Sequence, residues 1–346
     1  MRNEYRQAKP TERLEKVPMK TLMSRFGLPA LACAIGLATF DAQAAERWNM
    51  TVENPDGNSI TEVAKEFARN VAAATDNELQ IRVHSNSVLF KRPEVKRAVQ
   101  TGQVQAGDVL MSVLGNEDPI FEADSVPFLA RSYPEARKLW QASRPLIEAR
   151  LEKQGIRLLY AMPWSPQSIY TQKPVNGMAD FKGMKFRAYN PATSRMVELM
   201  GAVPTVINVA EVPQAFSTGM INAMLTSPTT GVDTQAWDFA KHYYDVQAFI
   251  PKNMVIVNAR AFGRLPEAAQ KAVLDAAAKA EEQGWQAAEA ETGELVKKLA
   301  DNGMQIHAEA PADIEAALAD IGRTMTDEWL RKAGEDGQKV VGAFQN

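Results

Sequence analysis

Arg187 closes a short extended run, Met184–Arg187, that follows the turn Lys182-Gly183. A guanidinium is a planar, permanently charged fork that can hold a carboxylate through two parallel hydrogen bonds; lysine supplies the charge without the fork. In open α/β sheets, ligands sit beyond the carboxyl ends of strands, which is where this arginine falls. Arg187 is therefore a candidate anchor for a carboxylate. Other chemistry is thinly represented. The three histidines, His84, His242 and His307, are far apart in sequence and have neither H-E-x-x-H nor C-x-x-C spacing around them. The chain lacks a G-x-S-x-G elbow, a P-loop and a G-x-G-x-x-G fingerprint, and its carboxylates form no recognisable pair. These absences argue against an enzyme and against a cofactor.

The N-terminus reads as an export signal. A basic stretch ending at Arg25 precedes the apolar run Phe26–Phe40, and Ala42 and Ala44 give the small-x-small pattern of a cleavage site near Ala44/Ala45. The run is shorter than the roughly 20 residues a membrane span needs. Met19 is an alternative start to Met1. The single cysteine, Cys33, falls inside the run and lacks the leucine three residues earlier that a lipidated cysteine requires. A chain cleaved there has no disulfide, thiolate nucleophile or cysteine-ligated metal. Residues 1–44 hold seven Lys/Arg and four Asp/Glu, so the remainder carries a net charge of −6. That balance disfavours nucleic acid and anionic membrane as partners.

About 300 residues exceed one ordinary core, and strand and helix patterns alternate, so two α/β lobes are expected. Trp48–Val52 and Leu79–His84 read as strands. Between them, Ser59 or Thr61 is placed to cap a helix whose apolar positions include Val63, Phe67 and Val71. Arg92–Thr101 is helical, with Pro93 in its first turn and Gly102 at its end. Ala106–Leu114 is apolar and strand-like, Ser132–Lys153 helical and Ile156–Met162 extended. A second series follows: Met184–Arg187, a helix at Ala192–Met200, Val203–Val206, a helix at Ala210–Thr218, Ile221–Leu225 and Lys252–Val257. From Glu267 to Asp301 there is no proline and little glycine. A helix of that length spans about 50 Å, more than one lobe. Pro311–Phe344 adds one or two amphipathic helices.

The segment Asp180-x-Lys182-Gly183-x-Lys185-x-Arg187 resembles the signature of the substrate-binding subunits of TRAP (tripartite ATP-independent periplasmic) transporters. So do Gly201-Ala202-Val203-Pro204-Thr205, Ala210-Glu211-Val212, Ser125-Val126-Pro127-Phe128-Leu129 and the late bridging helix. The resemblance implies a periplasmic receptor of two hinged lobes crossed by a long helix. It would close on one organic acid without ATP or metal and deliver it to a permease of small and large membrane subunits. Lobe I is expected at 45–165 plus about 253–285, and lobe II at 166–252 plus about 286–346.

The resemblance puts the family's carboxylate-binding arginine on Arg187. Gln167 stands where many relatives carry a second arginine, which speaks against a doubly anchored dicarboxylate. Asn190 and Ser227 would add hydrogen bonds, Trp164 and Tyr170 a wall, and Met111 and Ser112 would meet the ligand from the first lobe. Such a pocket suits a monocarboxylate with an apolar or aromatic body. A dicarboxylate or sugar-acid receptor of the same system, a binding protein for another importer or a sensor, and a periplasmic enzyme acting on organic acids stay open as alternatives.

Overall fold

The computed structural model describes residues 45–345. The export signal, its cleavage site and the choice between Met1 and Met19 lie outside those residues. Strand Glu46–Thr51 (β1) buries Trp48 and Met50 and turns Arg47 and Asn49 outward, as period-two alternation requires. It pairs in parallel with Leu79–His84 (β2) and Ala106–Leu110 (β3). Ile156–Pro163 (β4) and Lys252–Asn258 (β10) complete the first sheet, in the order β2-β1-β3-β10-β4. Every residue of β3 and β10 is buried because helices cover both faces.

Ser59–Ala74 (α1), Arg92–Thr101 (α2) and Tyr133–Glu152 (α3) supply much of that cover. The cap of α1 is Asn58 rather than Ser59 or Thr61: its Oδ1 accepts from the Ile60 amide at 2.9 Å. Ser59 and Thr61 instead donate to Glu291 and to the Asn54 carbonyl. Gly102, at φ 77°, ends α2 in the left-handed conformation that glycine adopts most easily.

The second sheet is built from Ser168–Thr171 (β5), Lys185–Ala188 (β6), Val203–Val206 (β7), Ala223–Thr226 (β8), His242–Tyr244 (β9) and Gln305–His307 (β11). Their order is β11-β9-β5-β8-β6-β7. Helices Pro191–Leu199 (α4), Val212–Ser217 (α5) and Pro228–Asp233 (α6) follow β6, β7 and β8, and Ala259–Gly263 (α7) follows β10. The short strands β5, β9 and β11 carry no alternation long enough to declare them in sequence.

Two extended chain crossings, besides two long helices, join the lobes, one between β4 and β5 and one between β9 and β10. They pair with each other: the amides of Trp164 and Gln167 donate to Pro251 and Phe249 carbonyls at 2.9 Å, and Ala248 donates back to Gln167 at 2.8 Å. Glu267–Asp301 (α8) lies against α1 and β4 of the first lobe and against α6 and β11 of the second, so it spans both. Ala312–Gln345 (α9) bends at Gly334 (φ 58°). Its Ile314, Leu318, Ile321 and Met325 pack in the second lobe, whereas Trp329 and Val340 pack with α3 in the first. The end of the chain therefore differs from the expected assignment of all of 286–346 to lobe II, because the apolar stripe of α9 continues past the lobe boundary.

Gly284 sets how closely α8 can approach β4, since a Cβ there would stand 2.8 Å from Met162 Cγ. Overpacking a dry contact costs about 1–3 kcal/mol. Gly284→Leu is expected to lower the thermal midpoint by a few degrees; an unchanged midpoint would mean that α8 does not rest on β4 at this point.

Candidate functional site

A cleft of about 430 Å³ opens where the crossings meet the carboxyl ends of β1, β6 and β8. That volume suits one small molecule. Arg187 reaches it from β6 and is only 2% exposed. Its Nε donates to the Ile207 carbonyl at 3.0 Å, and its guanidinium lies over the Tyr189 ring, 5.0 Å from the centroid. No carboxylate pairs with it among the described residues. Burial pushes its pKa down to about 10, with Arg92 acting in the same sense, so the group stays charged at neutral pH while poorly solvated. Because Nε is engaged, the two terminal amino groups are what a ligand carboxylate would meet.

Of the other residues expected at the site, Trp164, Gln167 and Ser227 do line the cleft. Trp164 presents its ring and donates Nε1 to Asn253 Oδ1 at 2.8 Å. Gln167 Oε1 accepts from the Tyr189 hydroxyl at 2.8 Å and its Nε2 donates to the Ser165 carbonyl at 3.0 Å, so its amide holds Tyr189 in place. Ser227 Oγ caps α6 by accepting from the Thr230 amide at 3.0 Å.

Tyr170, Asn190, Met111 and Ser112 do not line it. The Tyr170 ring is buried edge-on against Tyr243, and its hydroxyl donates to the Ser227 carbonyl from behind. Asn190 caps α4, accepting from the Thr193 amide at 2.7 Å, and donates to Ser112 Oγ at 2.7 Å across the lobes. Met111 is core. These placements share a cause. Alternation carried past the end of β6 puts Arg187 and Tyr189 on one face and leaves Asn190 off it. The run Ala106–Leu114 is likewise a strand only as far as Leu110, which lines the cleft; Met111–Leu114 is a tight 3₁₀ turn that carries Met111 and Ser112 away.

Several cleft residues escaped sequence reasoning: Tyr189, Glu53, Asn54, Arg92 and Asp233. Arg92 and Glu53 form an ion pair, and Asn58 Nδ2 donates to Asp233 Oδ2 at 2.7 Å, tying the first lobe to the second. Burial raises the Asp233 pKa, opposed by the Asn58 bond and by Lys298. The charged residues of the cleft are Lys91, Arg92 and Arg187 against Glu53, Glu211 and Asp233, a balanced set in which Arg187 alone is deeply buried without a carboxylate. The signal for Glu53 and Asn54 was available, since they follow β1 at its carboxyl end as Arg187 ends β6. His242 and His307, remote in sequence, meet at 3.2 Å on β9 and β11, away from the cleft. Among the described residues no group of three or more His, Cys, Asp or Glu is arranged to hold a metal.

Residues 50–331 match the family model described as bacterial extracellular solute-binding protein, family 7. The C4-dicarboxylate-binding periplasmic protein DctP of Rhodobacter capsulatus is 24% identical over 92% of this chain and 96% of its own length. Among solved structures, DctP7 of Bordetella pertussis, an extracytoplasmic solute receptor binding pyroglutamic acid, is 59% identical with a TM-score of 0.86, covering 87% of this chain and all of that one. A TRAP solute-binding protein from a marine metagenome, specific for pyroglutamate, is 36% identical with a TM-score of 0.84 over 87% of this chain and 99% of its own.

Asn58 serves two roles that a substitution can separate. Aspartate caps a helix as well as asparagine does, so Asn58→Asp keeps the start of α1 while setting a second carboxylate against Asp233. Ligand affinity is expected to fall about tenfold or more as the lobes are held apart, about 1.4 kcal/mol. Small-angle scattering should show a larger radius of gyration; unchanged affinity and radius would remove the Asn58–Asp233 bond from the closing contacts.

Proposed function

The chain belongs to family 7 of the bacterial extracellular solute-binding proteins and is a TRAP-class receptor rather than an enzyme; we propose that its solute is pyroglutamate or a cyclic monocarboxylate of the same size and polarity. The observation that carries this reading is the buried, carboxylate-free Arg187 at the cleft, in a chain 59% identical to a receptor that binds pyroglutamic acid. The ligand carboxylate would take the two free amino groups of Arg187 end-on, with the Tyr189 ring beneath. Trp164 would flank the ring. Asn54 lines the cleft, and its buried Nδ2 has no acceptor among the described residues, which suits a lactam carbonyl. Closure of the lobes would strip water from the Arg187–carboxylate pair and strengthen it.

A body with an amide replaces the apolar or aromatic one expected from sequence, because the wall is mixed: Asn54, Gln167, Thr226, Ser227 and Thr230 share it with Trp164 and Leu110. The charge balance favours a monoanion over a dicarboxylate. Arg92, the second arginine of the cleft, is already matched by Glu53, so a second carboxylate would find no unpaired arginine. The membrane partner in this reading is a permease of small and large subunits driven by an ion gradient. The protein would reach it from the periplasm after cleavage near Ala44/Ala45.

Thermal melting of the chain from Ala45, with a panel of acids, tests the ligand. Pyroglutamate at a thousand times its dissociation constant is expected to add about 4 kcal/mol and raise the midpoint by several degrees. Succinate, glucuronate and benzoate should give little. Arg187→Lys should weaken binding about a hundredfold, since the charge stays but the fork is lost. A shift given by succinate and not by pyroglutamate would overturn the monocarboxylate reading.

A further inference from the structure

Behind the cleft wall, a chain of hydrogen bonds runs from Trp164 into the first lobe. Trp164 Nε1 donates to Asn253 Oδ1 at 2.8 Å, and Asn253 Nδ2 donates to Asp108 Oδ2 at 2.6 Å. Asn253 and Asp108 belong to the neighbouring strands β10 and β3, and all three residues are buried. The order of donors is forced. An indole N–H can only donate, so the Asn253 oxygen must face it and the Asn253 nitrogen must face the carboxyl group. The plane of Trp164 is thus tied to a carboxyl group that never reaches the cleft itself.

Asp108 is only half satisfied. Its Oδ1 has no hydrogen-bond partner, and it sits 2% exposed with no cation paired to it among the described residues. Asp124, a second buried carboxylate of this lobe, has Lys252 beside it at 3.5 Å. We propose that Asp108 and Asn253 are positioning residues that set Trp164 against the ligand, and that Asp108 takes up a proton when an anionic ligand enters the cleft. This rests on the receptor's solute being a carboxylate.

The charged groups acting on Asp108 are Glu53 beyond β1 and Arg92 on α2; Asp108 in turn raises the pKa of Tyr160 on β4, whose buried hydroxyl also lacks a partner. Burial pushes the Asp108 pKa up to about 7; Asn253 opposes the rise, Glu53 adds to it and Arg92 again opposes. The group is therefore poised near neutrality. An arriving anion adds negative charge beside Glu53 and raises the pKa of Asp108 further. Affinity then gains below the ligand-bound value and is lost as the pH rises through it.

The test begins without ligand. Tryptophan emission of the protein, titrated from pH 5 to 9, is expected to show a step near pH 7 that is absent in Asp108→Asn and in Trp164→Phe. Asp108→Asn keeps an acceptor for Asn253 and removes the charge, and Trp164→Phe tests the same coupling from the indole end should the first variant fail to fold. No step in the native protein, or one that survives in either variant, overturns the proposal. Calorimetric titration with pyroglutamate in two buffers of different ionisation enthalpy then reads proton uptake. The native protein should take up part of a proton at pH 7.5 and lose about fivefold in affinity between pH 6 and pH 8, while Asp108→Asn should take up none and lose nothing. Equal uptake in both would also overturn the proposal. A pH step in emission with no heat from pyroglutamate would refute the ligand and leave the Trp164–Asn253–Asp108 chain supported.

Discussion

A guanidinium buried without a carboxylate is costly, and Arg187 is held that way by the structure around it. Its Nε is committed to a backbone carbonyl, its face rests on Tyr189, and Tyr189 is fixed by Gln167 on the crossing between the lobes. Each of these contacts stabilises the side chain without neutralising it. No carboxylate among the described residues neutralises it, and the proposed ligand would supply that charge through the cleft. The β6 strand stops one residue past the arginine, and Ser227, which follows β8, turns the chain into α6 beside the same cleft.

For one anion to be enclosed, the lobes must move as bodies and stay in register. The two crossings are held side by side by three backbone hydrogen bonds, which would let them act as one hinge in such a closure. The Lys252–Asp124 pair lies where the second crossing ends and β10 begins, fully buried, with Asp124 also accepting from the Lys252 amide at 2.7 Å. Burial raises the Asp124 pKa and lowers that of Lys252, each opposed by its partner. A pair of this kind adds little net stability but penalises any arrangement that separates it, so it fixes one geometry of the crossing. The helices α8 and α9, each packed in both lobes, narrow the remaining freedom further.

How much of this was legible in the sequence depended on the reach of the signal. Long periodic elements were: the strand Leu79–His84 and the helix Arg92–Thr101 have the bounds that composition implies, and the proline-free run became the 35-residue α8. That Arg187 reaches the cleft was legible because strand end and residue type coincide. What failed was side-chain direction. Polarity favours Asn190 over Tyr189 as a ligand contact, although two-residue alternation gives the face to Tyr189. Met111 and Ser112 look like a continued strand because a 3₁₀ turn of apolar residues has no breaker to announce it. Arg92, Glu53 and Asp233 come together through pairing across distant segments, which no local pattern encodes.

The charge pattern of the cleft shows why an arginine can select as well as attract. With three cationic and three anionic side chains on its walls, the cleft carries no formal net charge. Binding energy then depends on which charges are already matched. Arg92 faces Glu53 and Asp233 faces Asn58, so an incoming group that competes for them must first break an existing contact. Arg187 has nothing to break, and its poor solvation makes a correctly placed carboxylate more favourable than water at that point. A second carboxylate on the same ligand would meet Arg92 already matched by Glu53 and only the exposed ammonium of Lys91 besides, and would lose its own hydration without an unpaired arginine in return. On the proposed reading, discrimination between one and two carboxylates would follow from the pairing within the walls as much as from the size of the cavity.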